Sequence, residues 1–177
     1  MKKVSLFILA LVAIIELRAQ KFPEVDASPA DIAYFRPDGR DANPVIRVIY
    51  GRPAKKGRTM IGGTEKFGTV WRLGANEATE VKLYKDVTFG DKTVKAGTYT
   101  MYAIPTEKDW TIIFNSKLDT WGAYSYEQGK DVARVTVPVA KPEKEIENFA
   151  ITFDGKGDTA AMYLGWENTM VKVPLKY

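Results

Sequence analysis

The chain contains no cysteine and no histidine among its 177 residues. Without cysteine, disulfide bonds, cysteine nucleophiles, thiolate metal sites and a lipid-modified N-terminal cysteine are all excluded. Without histidine, Ser-His and Cys-His relays, imidazole metal sites and histidine pH switches are excluded as well. We therefore expect no metal and no cofactor, and any catalysis would have to use carboxylates, lysines or hydroxyl groups.

Residues 1–19 have the features of a secretory signal peptide. Lys2 and Lys3 precede an apolar run at 4–15, and Ala19 is the expected last residue before cleavage, although Leu17 is larger than signal peptidases prefer. The run is shorter than the roughly 20 apolar residues that span a bilayer. We expect export to the periplasm or the exterior, with no stable membrane span after cleavage.

The remaining length predicts one domain with a short extension. A domain of about 150 residues buries about 70% of its unfolded surface, so it does not need disulfides. Residues 20–43 are rich in Pro, Asp and Ala and are predicted to form an irregular N-terminal arm before a domain at 44–177. The formal net charge is +4 and falls when the leader is removed, so nucleic-acid binding is not expected.

Short runs rich in β-branched and aromatic residues alternate with turn signals after residue 44, and no long helical periodicity is present. The predicted strands are 45–50, 78–84, 86–89, 98–104, 110–115, 132–137, 146–153, 159–166 and 171–175. Hairpin turns are expected at 90–91, 107–109 and 154–158. This pattern predicts an all-β fold, a single antiparallel β-sandwich for which a jelly-roll arrangement is one form.

A basic loop follows the first predicted strand and is a candidate site. Four cations lie within 52–58, and the guanidinium groups of Arg52 and Arg58 suit carboxylate or phosphate ligands. Exposed charge runs are usually solvated. The alternative is therefore a hydrated loop whose cations pair internally with Glu65 or Glu77.

The segment from Trp71 to Glu77 is the more specific candidate. Gly74 and Asn76 tolerate positive φ, which predicts a tight turn that holds Asn76 and Glu77 in a fixed direction. Arg72 could bind a carboxylate or phosphate through two N–H groups, and Glu77 could accept hydroxyl protons. Equally, Arg72 and Glu77 could pair with each other and serve only the fold.

The four tryptophans suggest different roles. Trp110 and Trp166 lie in apolar alternation and are predicted to be core residues. Trp121 lies in a loop, where its ring could contact a ligand or cover one end of the sandwich. The acidic turn at 154–158 has Lys156 where a calcium loop needs Asp or Asn, so a plain hairpin is expected.

Several of these segments together resemble DUF2911, a family of exported proteins of unknown function typical of Bacteroidetes. The matching segments are Tyr50-Gly51-Arg52-Pro53, Lys56-Gly57-Arg58, Val70-Trp71-Arg72, Gly74-Ala75-Asn76-Glu77-Ala78-Thr79, Ala96-Gly97-Thr98-Tyr99, Ile104-Pro105, Trp110-Thr111-Ile112-Ile113-Phe114-Asn115 and Trp121-Gly122-Ala123-Tyr124. The resemblance implies an exported all-β domain and no established activity. Leu73 stands where members usually have threonine, so a hydroxyl available to a site is missing.

Three functions fit these observations. The first is non-catalytic binding of a small anionic or glycan-type ligand by a cluster of polar and aromatic residues, which comprises Arg52, Arg58, Trp71, Arg72, Asn76, Glu77 and Trp121. The second is a structural protein with an envelope partner, in which the Arg/Glu cluster is an internal network. The third is a hydrolase that pairs Glu77 with Asp119, Glu127 or Asp131. Binding ranks first and catalysis last.

Overall fold

Eleven β-strands and one 3₁₀ turn, Gln128–Lys130, form the regular structure of residues 21–177, the residues that this computed structural model describes. The predicted signal peptide lies outside the described residues. No helix within 21–177 is long and apolar enough to cross a membrane. The strands are β1 (Ala30–Phe35), β2 (Ile46–Gly51), β3 (Ala75–Leu83), β4 (Val87–Phe89), β5 (Lys92–Val94), β6 (Gly97–Pro105), β7 (Asp109–Asn115), β8 (Asp131–Ala140), β9 (Ile146–Lys156), β10 (Thr159–Glu167) and β11 (Thr169–Lys176).

All of these strands pair antiparallel in one sheet. Their spatial order is β1-β2-β3-β6-β7-β8-β11-β10-β9, and the β4–β5 hairpin attaches to β11. The expected hairpin connections between β4 and β5, β6 and β7, and β9 and β10 are all present. The predicted all-β antiparallel fold is confirmed, and the sheet is nearly closed and barrel-like.

The first and last strands of this order, β1 and β9, face each other across a seam without a ladder of backbone hydrogen bonds in the described chain. Side chains bridge it. The Ile151 amide donates to the Tyr50 hydroxyl at 3.2 Å, and the rings of Phe35 and Phe153 lie 5.9 Å apart. Beyond them, the segment 53–55 makes two backbone hydrogen bonds of 2.9 Å to β9. The seam is therefore closed by side chains and one short segment.

An aromatic cluster fills the interior of the sheet. The rings of Trp71 and Trp166 stack at 5.7 Å, and the rings of Trp110 and Phe149 pack edge-on against Trp71. All four side chains are buried. The predicted core roles of Trp110 and Trp166 are confirmed. Because large rings fill the interior, access for a ligand must be sought on the outer face or at the ends.

The N-terminal arm is shorter than predicted, because part of it forms β1. In this strand Ala33 and Phe35 face the core, whereas Ile32 and Tyr34 are exposed. Because apolar side chains lie on both faces of β1, its sequence lacks the apolar–polar alternation by which a half-buried strand is predicted. Residues 21–29 contain no regular secondary structure and reach β1 along the outer surface.

Candidate functional site

A groove of about 440 Å³ lies on the outer face of β1, β2, β3 and β6. Side chains alternate along each strand, so the residues next to core positions form its floor. Val48 of β2 is buried in the core, while the next residue, Ile49, and Gly51 line the groove. In β3, the groove residue Ala78 precedes the fully buried Thr79. The floor of the groove is therefore largely apolar.

The loop at 116–127 forms one wall of the groove. It is anchored to the outer face of β6 by a 2.8 Å hydrogen bond between the hydroxyls of Tyr102 and Thr120. It is also anchored to β3, because the Ala78 amide donates to the Thr120 carbonyl at 2.9 Å. The next residue, Trp121, remains 58% exposed and lines the groove together with Leu118. The ring is held at a defined place yet remains accessible.

The predicted turn before β3 is confirmed. Leu73 and Asn76 have φ angles of 57° and 62°. The Thr79 hydroxyl stabilises the turn by donating to the Leu73 carbonyl at 2.6 Å. The Leu73 side chain is fully buried, so this position faces the core and not the groove. The turn directs Asn76 and Glu77 to the groove rim.

The N-terminal arm forms the opposite wall through Asp26 and Ser28. The Asn76 side-chain amide donates to the Asp26 carboxylate at 3.1 Å and approaches the Ser28 carbonyl at 3.5 Å. The Ser28 amide also donates to Asp26 at 2.7 Å. These hydrogen bonds, first from Ser28 and then from Asn76, lower the pKa of Asp26. Asp26 is therefore ionised at neutral pH.

The charge of the groove is negative. Its charged lining residues are Asp26, Glu77, Glu80 and Asp119, and no Lys or Arg occurs among the described residues that line it. Arg47 lies on the same outer face of β2 as Ile49, next to the groove, and pairs with the lining residue Glu80 at 3.2 Å. The groove therefore combines one large accessible ring, an apolar floor and several hydrogen-bond acceptors.

The arginines of the basic loop have partners elsewhere. Arg52 pairs with Asp31 of β1 at 2.7 Å. Arg58 donates to the carbonyls of Ala54 and Lys55, both at 2.9 Å, and so holds its own turn. Lys55 pairs with Glu145, beside β9. Arg52 and Lys55 therefore form ion pairs within the fold, and Arg58 bonds to backbone carbonyls, but the partners that the alternative predicted, Glu65 and Glu77, are not the ones used.

Of the seven predicted site residues, Asn76, Glu77 and Trp121 meet at the groove. Arg52 and Arg58 do not line it, and Trp71 is only 3% exposed within the aromatic cluster. Arg72 lies on the other side of the 116–127 loop, where its guanidinium donates to the Asn76 carbonyl at 3.1 Å. The predicted cluster is thus divided between the core, the seam and two separate surface cavities.

Two of the three carboxylates considered as partners for Glu77 are engaged elsewhere. Glu127 pairs with Lys117 at 2.6 Å, which lowers its pKa. Asp131 accepts hydrogen bonds from the side chains of Asn115, Tyr126 and Arg134. Only Asp119 shares the groove with Glu77. Within residues 21–177 no three acidic side chains are grouped closely enough to hold a metal ion.

Sequence reasoning missed several groove residues. Asp26 and Ser28 belong to the arm, which carries no periodic signal that could place it against β3. Glu80 could have been found, because residues of one strand face share a period of two and Ala78 and Glu80 follow Asn76 at that spacing. Leu118 could not have been found in this way, because its position depends on how the loop folds back over β6.

Comparison with known proteins agrees with the resemblance found in the sequence. The profile of the family described as "Protein of unknown function (DUF2911)" matches residues 28–175. No curated protein and no solved structure matches the chain significantly. The matched range begins at the groove-lining residue Ser28 and includes ten strands and all of β11 except its last residue. The chain belongs to the DUF2911 family.

Proposed function

We propose that this protein is a non-catalytic binding domain that takes a small hydroxylated ligand, of the glycan type, in the groove at Trp121. The observation that carries the proposal is the exposed Trp121 ring above an apolar floor, next to the polar side chains of Asn76 and Glu77. The groove has a volume of about 440 Å³, which falls within the range of about 300–1,000 Å³ typical of ligand pockets.

The polar lining favours hydroxyl groups over anions. Ionised carboxylates are hydrogen-bond acceptors only, so Asp26 and Glu77 match hydroxyl donors. A sugar ring offers hydroxyl donors at its rim and an apolar C–H face that can lie against an indole. A negatively charged ligand would be repelled by Asp26, Glu77 and Asp119, while Arg47 beside the groove is already paired with Glu80, and no cation lines the groove within the described chain. Of the two ligand classes predicted, we therefore retain the glycan.

The arginines support a structural contribution to the same domain. Arg52 joins the loop after β2 to β1, and Arg58 holds its own turn. We infer that these residues position the elements around the groove without touching the ligand. A hydrolase remains the second candidate, because Glu77 and Asp119 share the groove and two carboxylates are the minimum for glycoside hydrolysis.

Calorimetric titration with neutral oligosaccharides, amino sugars and uronic acids tests the proposal. We expect neutral sugars to bind and uronic acids to bind more weakly. Trp121→Ala should weaken binding of the best sugar about tenfold or more. The matched control is Tyr124→Ala, which removes another exposed ring from the same loop but not from the groove, and which should leave sugar binding unchanged.

Equal sugar affinity of wild-type protein and Trp121→Ala would refute the proposal, as would a preference for uronic acids over their neutral counterparts. Incubation of the bound oligosaccharide with the protein separates binding from hydrolysis. Release of reducing ends that Glu77→Gln abolishes would establish the hydrolase instead.

A further inference from the structure

A second cavity, of about 250 Å³, lies on the side of the 116–127 loop that faces away from the groove. Its lining residues are Glu65, Val70, Trp71, Arg72, Ala123 and Tyr124, and none of them lines the groove. We name this cavity the Glu65–Arg72 cleft. Since a water molecule in the liquid takes up about 30 Å³, the cleft has room for a ligand the size of a free amino acid.

Arg72 supplies a positive group to the cleft. One of its terminal nitrogens donates to the Asn76 carbonyl at 3.1 Å, which fixes the side chain. A guanidinium has five N–H donors in a planar fork, so others remain for a ligand carboxylate. Across residues 21–177, Arg72 forms no ion pair. Its charge is not neutralised by a direct protein partner in that range.

Glu65 supplies a negative group. Its backbone is fixed in a tight loop, where the Glu65 amide donates to the Met60 carbonyl and the Gly62 amide donates to the Glu65 carbonyl, both at 2.8 Å. Burial raises the pKa of its carboxyl group, while the charge of Arg72 lowers it less strongly. No described side chain pairs with this carboxylate or donates a hydrogen bond to it. A partly buried carboxylate without a hydrogen-bond or ion-pair partner favours a ligand that carries a positive charge.

Tyr124 provides an aromatic surface beside these charges. Its ring is 86% exposed, so it has little packing to lose when a ligand covers it. A Cβ atom added to Gly122 would lie 2.8 Å from the Tyr124 ring and 3.3 Å from a terminal nitrogen of Arg72. The ring and the guanidinium therefore both lie close to Gly122.

From this arrangement we propose that the Glu65–Arg72 cleft binds a zwitterionic ligand of the free amino acid class. The ligand carboxylate lies against the Arg72 guanidinium, the ammonium group faces Glu65, and the ligand side chain lies along Tyr124. An anion alone would be repelled by Glu65, and a cation alone would be repelled by Arg72. A ligand that carries both charges satisfies both groups, which is the basis of its selection.

Titration calorimetry of the purified protein with three matched probes tests this inference. The probes are phenylalanine, N-acetylphenylalanine, which lacks the ammonium group, and phenylalaninamide, which lacks the carboxylate. We expect phenylalanine to bind at least about tenfold more tightly than either analogue. No saturable binding of phenylalanine, or equal binding of all three probes, would overturn the proposal.

Variants assign the charges to the two residues. Glu65→Gln should weaken phenylalanine binding, because the ammonium group loses its partner, and should strengthen N-acetylphenylalanine binding, because the lone carboxylate is no longer repelled. Arg72→Lys should weaken the binding of phenylalanine but not the binding of phenylalaninamide. Circular dichroism verifies that the variant is folded. Should Arg72→Lys fail to fold, Tyr124→Ala, which removes an exposed ring, tests the cleft in its place and should weaken phenylalanine. Unchanged phenylalanine affinity in Glu65→Gln would exclude the proposed geometry.

Trp121→Ala is the control that separates the two sites. It should weaken sugar binding in the groove about tenfold or more and leave phenylalanine binding intact. Loss of phenylalanine binding in Trp121→Ala would place the amino acid in the groove and overturn the inference for the cleft. Failure of the sugar titrations would refute the proposed function without affecting this result, because the two cavities share no lining residue.

Discussion

Glu77 and Trp121 form an isolated antiparallel β-bridge, which ties the first residues of β3 to the loop at 116–127. The Gly122 amide extends this contact by donating to the Asn76 carbonyl at 3.1 Å. The same carbonyl accepts the hydrogen bond from Arg72. One short backbone contact therefore positions Trp121 over the groove and keeps Arg72 in the cleft.

Gly122→Ala should disturb this contact and lower the free energy of unfolding. Gly122 has a φ of 63°, and an added Cβ would lie 2.8 Å from the Tyr124 ring. We expect a loss of about 1–3 kcal/mol, measured by urea unfolding. The control is Gly57→Ala, since Gly57 has a φ of 73° and nothing within 4 Å of an added Cβ. Equal losses in the two variants would show that only backbone conformation matters and not the packing around Gly122.

Gly51→Ala should be destabilising for a different reason. An added Cβ would lie 2.1 Å from the Ala75 carbonyl oxygen, which belongs to the backbone and cannot rotate away. We expect a loss of about 1–3 kcal/mol in urea unfolding, together with weaker sugar binding because Gly51 lines the groove. Gly129→Ala meets nothing within 4 Å and should leave both properties unchanged. Wild-type stability of Gly51→Ala would contradict the close approach of the two strands.

Asp31→Asn should lower the free energy of unfolding at neutral pH, and this difference from wild type should disappear at acid pH. Burial alone would raise the pKa of Asp31, but the Ile32 amide and the Arg52 guanidinium, helped by the Tyr50 hydroxyl, lower it below the usual value of 3.8. A carboxyl group with a lowered folded pKa stabilises the protein above 3.8, and this contribution is lost as pH falls through the folded pKa. Because both partners are substantially exposed, we expect about 1 kcal/mol or less.

Thermal unfolding of wild type and Asp31→Asn between pH 2 and pH 7 measures this difference. The two melting curves should differ at pH 7 and converge at the acid end of the range. A constant difference across the range would show that the substitution acts through packing and not through the charge of Asp31.

Glu65→Gln should have the opposite pH dependence. Burial raises the pKa of Glu65 above its usual 4.5 despite the nearby charge of Arg72. The raised folded pKa means that protonated Glu65 is favoured in the folded protein. The free energy of unfolding is therefore highest below the unfolded pKa and falls as pH rises through the folded pKa. We expect Glu65→Gln to melt at a higher temperature than wild type at pH 7, with the difference vanishing below pH 4.5. A lower melting temperature at pH 7 would show that attraction to Arg72 outweighs the cost of burial.

Much of the fold could be predicted because local signals and global structure agree. The turn residues at Gly90 and at Gly157 both have positive φ and close the expected hairpins. The strand from Gly97 to Pro105 carries apolar bulk on both faces, and its outer face is covered where Tyr102 contacts Thr120. Periodicity fails for β1, because its outward side chains are as apolar as its inward ones.

The candidate site was predicted less well because neighbouring residues in a strand face opposite sides. Gly51 lines the groove, whereas the next residue, Arg52, turns towards Asp31. Trp71 enters the core, although Arg72 beside it contacts the cleft. The predicted site therefore included residues that are neighbours in the sequence but lie apart in the folded sheet. Only Asn76, Glu77 and Trp121 meet, and the bridge that unites them spans more than forty residues of chain.

The seam between β1 and β9 gives the domain a line along which it can open. Elsewhere in the sheet, separating neighbouring strands requires breaking a ladder of backbone hydrogen bonds. Along this line it requires separating the aromatic rings and breaking the bond between Ile151 and Tyr50 and the two backbone hydrogen bonds of segment 53–55. The joined strands are also among the most distant in the chain, and closing so long a loop is entropically costly. Closure of the seam should therefore come late in folding, and its opening should be the first step of unfolding.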